Sequence, residues 1–241
     1  MKCLHLRYRL TLALTWLAAL AALSITHAQT LLPPDPSKTL GGTVSFAGFV
    51  DERGRDVAAL VGAPAGPTTV RAWIVSPIYT RCPFTCSPIT TALRSALNES
   101  GLQASEYRVV SFSFDPHETG ETLRAFRTGL QLPESWLTLR AAEPGALERT
   151  LRSLDFRTME IGDGQYAHPN LLAVLAPDMR LTEYIFGVTF SPTELAAAVR
   201  AARSGGSSAP AWHGYWLVLS GTGLLASAFV FFTVLQRRRR G

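Results

Sequence analysis

From Gly214 to Leu235 the chain runs 22 residues without a charged side chain, and Arg237–Arg240 follow. A helix of that length is about 33 Å long at ~1.5 Å per residue, enough to cross a hydrocarbon core of ~30 Å. Trp212, Tyr215 and Trp216 stand at its start, where amphipathic rings favour the membrane interface. The arginines hold the far end on the cytoplasmic side. A buried core helix is the alternative, but no face of this segment is polar and a charge cluster closes it. The expectation is a membrane-spanning helix over 213–236 and a basic cytoplasmic tail over 237–241.

The other end reads as a secretory leader. Lys2, Arg7 and Arg9 precede a run of apolar residues over 10–25, and Thr26-His27-Ala28 supplies a small-residue cleavage site before Gln29. An uncleaved anchor would want ~20 apolar residues, more than this run provides. The leader is therefore expected over 1–28, an N-terminal segment over 29–40, one folded domain over 41–203 and a Gly/Ser-rich linker over 204–212. This topology places the domain outside a bacterial inner membrane, in the periplasm, tethered from behind.

Seven of the 23 basic residues lie in the two ends and all 18 acids lie between them, which leaves the exported part 16 basic against 18 acidic residues. A nucleic-acid binder concentrates basic charge on its folded domain; this chain does not, and nucleic acid is excluded as the expected partner. Cys3 leaves with the leader, so the exported part keeps only Cys82 and Cys86. Export permits a disulfide, but a pair four residues apart closes a very short loop and gains little as a staple. The pair reads as chemical.

Strands are expected over 43–50, as the start of an N-terminal hairpin turning at Asp51–Gly54, and over 69–79, 107–114, 136–139, 171–176 and 181–186. Helices are expected after Ser87-Pro88, closing at Gly101, then over 119–130, over 146–154, and from Ser191-Pro192 to about Arg203. Strands alternating with helices imply a mostly parallel α/β sheet covered on both faces, with a final antiparallel hairpin. That is a thioredoxin-like layout. The cysteines fall where a strand hands over to the first crossover helix, the end of such a sheet where ligands sit.

If Cys82 and Cys86 lie at a helix start, residues four apart share a face and two sulfurs can converge on one ion. A helix N-terminus favours thiolates, and thiolates select Cu(I) or zinc over hard cations. One imidazole would complete a three-donor site that still leaves room for transfer. The exported part offers His117, after Asp115-Pro116; His168, directly before a strand; and His213, at the membrane edge. His117 and His168 both remain candidates from the residues alone.

Tyr79-Thr80-Arg81-Cys82-Pro83-Phe84-Thr85-Cys86 resembles the aromatic-Thr-x-Cys-Pro-x-x-Cys motif of the Sco/SenC family. Residues 111–124 resemble its Ser-x-Asp-Pro segment, and 165–187 its histidine, strand, Pro-Asp turn and strand ending in glycine. The resemblance covers about residues 41–203. It implies a thioredoxin-like fold and copper held by Cys82, Cys86 and His168. It also implies delivery of that copper to the binuclear centre of cytochrome c oxidase subunit II, or to another copper-receiving protein, with possible reduction of the target's thiols by the same cysteines. Three features depart from the pattern. Phe84 stands where the family often has Asp, Ser87 where it often has Pro, and the expected anchor is C-terminal rather than N-terminal.

Two other readings compete with a copper chaperone. A thiol-disulfide oxidoreductase with no metal role would use Cys82 and Cys86 alone, although its usual spacing is one residue shorter; its peroxidase variant would want an arginine-assisted pocket, with Arg81 and Arg127 as candidates. A disulfide-closed scaffold would show neither metal nor redox activity.

Overall fold

The computed structural model describes residues 31–57 and 71–205; those from Pro33 onward belong to one unit. The expected leader, the spanning segment, the basic tail and His213 lie outside the described residues. Among the described residues no helix is long and apolar enough to cross a membrane.

In chain order the elements are α1 (Pro36–Thr39), β1 (Phe49–Asp51), β2 (Ala72–Ile78), α2 (Cys86–Glu99), β3 (Tyr107–Ser113), α3 (Gly120–Gly129) and β4 (Trp136–Ala141). There follow α4 (Ala146–Ser153), β5 (Met159–Gly162), β6 (Gln165–Ala167), β7 (Leu171–Leu175), β8 (Leu181–Phe186) and α5 (Pro192–Arg203). Six strands form one sheet in the order β1-β4-β3-β2-β7-β8, and β5 pairs with β6 separately.

Only the centre of the sheet is parallel. β2 pairs with β3 and β3 with β4 in parallel, while β1, β7 and β8 all join antiparallel. The expected mostly parallel sheet is thus corrected to a three-strand parallel centre with antiparallel flanks. The first two crossovers carry helices and force parallel neighbours. The return to β7 passes through α4 and the β5–β6 hairpin instead.

The start of the expected N-terminal hairpin is present. The turn forms, with Gly54 N donating to Asp51 O at 3.0 Å, and across it Asp51 N donates to Arg55 O at 3.0 Å and Val57 N to Phe49 O at 3.4 Å around the bridge Val50–Asp56; the second arm beyond Val57 lies outside the described residues. Residues 43–50 divide. Val44 N donates to Met179 O beside the start of β8, whereas Phe49–Asp51 joins β4 at the opposite edge. The alternation in this stretch buries Val44, Phe46 and Phe49 against one face of the sheet. Gly48 makes the turn between them: its φ is +83°, and a Cβ there would come within 2.9 Å of Glu143.

The period of two along the strands sorts side chains into two cores. From β2, Trp73 and Val75 join Phe46, Phe112, Leu139, Leu154 and Phe156 on one face. Ala72 and Ile74 face Leu93 and Leu97 of α2 and Leu195 and Val199 of α5 on the other. Pro77 lacks an N–H, yet costs no bond to β7, because that ladder covers only Trp73–Val75. Thr119 caps α3 in a reciprocal box with Thr122, and Ser191 caps α5 ahead of Pro192. The start of α2 differs from expectation: Thr85 is the N-cap position, and Cys86, Ser87 and Pro88 lie inside the first turn.

Candidate metal centre

Sheet register explains how residues far apart in sequence meet. β2 and β7 pair antiparallel as Trp73↔Leu175 and Val75↔Ala173. Carried two residues on, that register sets Pro77 against Leu171, so the loop over 168–170 passes the end of β2. The parallel pair Ile78↔Ser113 brings Phe114 and Asp115 to the same end, with Phe114 N donating to Ile78 O at 2.9 Å. The β2–α2 loop carrying Cys82 leaves from this point too.

Cys82 precedes the helix rather than lying on it. The two sulfurs therefore converge through a turn, in which Cys82 N donates to Tyr79 O at 3.2 Å, and not through shared helical spacing. Cys86 Sγ is buried and accepts from Tyr79 N at 3.5 Å. Cys82 Sγ is half-buried and accepts from Thr85 N at 3.4 Å. No disulfide joins the two sulfurs in this structure. The Cys86 thiol beside it and the backbone N–H groups of Cys86, Phe84 and Thr85 hold the Cys82 thiol down at about 3, against the opposing pull of burial. Cys86, sharing that contact and buried more deeply, is pushed far up from its ordinary value. The outer Cys82 sulfur is thus the stronger acid of the pair and the buried Cys86 sulfur the weaker.

The imidazole of His168 completes the group. One donor atom each from Cys82, Cys86 and His168 all lie within 4.8 Å of one another. Donors bonded to one ion at about 2.0–2.3 Å sit about 3.7–4.0 Å apart when trigonal, so closing the set takes a movement of about 1 Å at most. Two sulfurs and a nitrogen are soft and borderline donors, a set that fits Cu(I) or zinc and not magnesium or calcium. His168 Nδ1 lies 3.1 Å from the Pro169 carbonyl, which as an acceptor favours the tautomer that leaves Nε2 free to ligate.

The ring of His168 is packed among aromatics, with centroids 5.0 Å from Phe114, 5.9 Å from Tyr79 and 6.2 Å from Phe156. Tyr79 OH donates to Gln165 Oε1 at 3.1 Å and accepts from Tyr166 N at 3.4 Å, which ties β6 to the end of β2. Below the cysteine loop, buried Glu118 accepts from Thr80 N at 3.0 Å and from Ser113 Oγ at 2.7 Å. Sequence reading missed this surround, because its members come from separate segments.

His117, the other candidate, is exposed and stands outside the three-donor group. Arg127 binds the carbonyls of Trp136 and Pro133, and Arg81 pairs with Asp115. Both arginines of the peroxidase reading thus have partners other than the thiols. Phe84, between the cysteines, is 79% exposed.

No protein-family model and no curated protein matches the chain. Solved structures do. A candidate electron transfer protein from Aquifex aeolicus VF5 is 30% identical, with a TM-score of 0.61, over 68% of this chain and 95% of that one. A SCO1/SenC family lipoprotein from Bacillus anthracis is 18% identical, with a TM-score of 0.56, over 73% and 98%. Arabidopsis thaliana ScoI with copper bound is 18% identical, with a TM-score of 0.54, over 68% and 99%.

Proposed function

We propose that this chain, which belongs with the Aquifex aeolicus protein in one family and has the fold of the Sco/SenC proteins, carries copper as cargo on Cys82, Cys86 and His168. The observation that supports it most is the meeting of two sulfurs and an imidazole within 4.8 Å at one end of the sheet. The same donor set would accept zinc; the copper-bound Arabidopsis neighbour favours copper. The recipient in this reading is the binuclear centre of cytochrome c oxidase subunit II, and the chain works as a periplasmic domain on a C-terminal anchor.

The asymmetry of the thiols suits transfer. Cys86 is 1% exposed while Cys82 is half-buried. An acceptor thiol approaching from solvent meets Cys82 first and can exchange with it while Cys86 and His168 keep hold of the ion. Three ligands leave the ion open to such an incoming donor.

The test is an anaerobic Cu(I) titration of the purified protein against a competing chelator, followed by mixing with the copper domain of oxidase subunit II. One copper per chain and its passage to the acceptor are expected. His168→Ala should weaken binding by at least the roughly 10- to 100-fold that loss of an outer partner costs. Full affinity in that variant would remove the three-donor site.

A half-buried Cys82 sulfur, held down in pKa, beside the fully buried Cys86 also favours a second reading, reduction of a target disulfide. The Cys82 thiolate attacks one target sulfur and releases the other as a thiolate. Cys86 then gives up its proton and attacks Cys82 Sγ of the mixed disulfide, which expels the first target sulfur as a second thiolate and closes the Cys82–Cys86 disulfide, so the target gains two electrons that the pair loses. Turnover on a disulfide substrate with metal excluded would separate the two.

A further inference from the structure

Among the described residues the one polar contact of the His168 ring is to the carbonyl of its own neighbour, so its placement rests on the aromatic surround and on the hairpin that precedes it. That hairpin, β5–β6, has no buried residue: none is buried from 157 to 170. A two-stranded hairpin of this kind is marginal in water; the Tyr166 ring packs on Tyr79 and Phe114, with centroids 5.2 and 5.7 Å away, and polar pins add to that one apolar contact.

Two pins are present. Tyr79 OH holds Gln165 and Tyr166 as described above. The second is a clasp built on Arg81, the residue beside Cys82. Arg81 Nε and NH2 donate to Asp115 Oδ2 at 3.2 and 2.6 Å. Tyr166 OH donates to the other oxygen of the same carboxylate at 3.3 Å. The guanidinium also lies flat on the hairpin turn: a Cβ on Gly164 would be 3.0 Å from both terminal nitrogens and 3.2 Å from Cζ. Gly164, at φ +67°, is thus needed both for the turn and for the room it gives Arg81. The Asp115 carboxylate is 1% exposed, so it supplies a fixed anchor.

We infer that the Arg81–Asp115–Tyr166 clasp is a positioning device that fastens the β5–β6 hairpin to the cysteine loop and so keeps the His168 imidazole facing the two thiols. It rests on the copper reading for its consequence, not for its geometry. Arg81 and Asp115 touch no metal; they act through His168.

The test uses the full-length chain and the variants Arg81→Ala, Tyr166→Phe and His168→Ala. Arg81 is about half exposed, and its removal leaves both cores intact. Hydrogen exchange over residues 159–168 of the metal-free protein should quicken in Arg81→Ala and, less, in Tyr166→Phe, with α2 and β3 unchanged. Cu(I) affinity should fall by about tenfold in Arg81→Ala, the lower end of what outer partners contribute. In a His168→Ala background the same change should have no further effect. Unchanged exchange over 159–168 would overturn the inference, as would an equal affinity loss with and without His168. If the wild-type chain takes up no copper, the proposed function fails, while the exchange arm still decides whether the clasp holds the hairpin.

Discussion

Cys86 opens a helix whose inner face, Ile89, Leu93 and Leu97, is sealed into a core with α5, whereas His168 leaves a hairpin in which no side chain is buried. One part of the candidate site is seated on strand–helix packing, the other on a few hydrogen bonds and an aromatic surround. Packing fixes Cys86 in any folded state of the protein, and a turn closed by Cys82 N on Tyr79 O holds Cys82 beside it. The imidazole sits on an element whose opening costs far less than global unfolding. For a carrier, that division leaves Cys86 as the most firmly seated donor while an acceptor exchanges with the outward Cys82.

The comparison can be broken or sharpened by measurement. Serine at Cys82 or Cys86 should abolish tight Cu(I) binding, a loss well beyond the roughly 100-fold that outer partners reach; a chelator competition that found less would deny the thiols their leading part. Leu93→Ala, at a fully buried position of α2, should destabilise the domain by about 2–5 kcal/mol in denaturant unfolding.

Acidification should separate the thiols. Folding lowers the Cys82 pKa from 9.0 to about 3. Its contribution to stability is therefore full above the ordinary value and lost as the pH falls through about 3. Cys86 shifts the other way, so its effect is level below its ordinary value and unfavourable only above it. Ultraviolet thiolate absorbance should accordingly show one thiolate per chain at about pH 5, absent in Cys82→Ser. The smallest effect should come from Ile161→Ser. This hairpin residue is 63% exposed, and its change should stay within about 0.5 kcal/mol.

The same contrast explains what could be read from sequence. The stretches 69–79, 107–114, 171–176 and 181–186 announce themselves as strands because burial on one or both faces demands continuous or alternating apolar residues. Helix starts at Thr119 and Ser191 carry their own caps. The position of the cysteine pair followed from a strand meeting a helix. The β5–β6 hairpin gave no such pattern, since nothing in it is buried. Its one signal was Asp163-Gly164, both at positive φ, the dipeptide favoured in a two-residue turn. The start of α2 was misplaced by two residues because Ser87-Pro88 imitates a cap, while Thr85 at the true boundary makes no side-chain capping bond. The surround of His168 was hidden for another reason. Tyr79, Phe114 and Phe156 meet it only once strand register is known.

X-ray absorption on the Cu(I)-loaded protein tests most directly whether these three donors hold one ion. Two sulfurs and one nitrogen per copper are predicted, with the nitrogen lost in His168→Ala. A spectrum of sulfur ligands alone, identical in that variant, would contradict it.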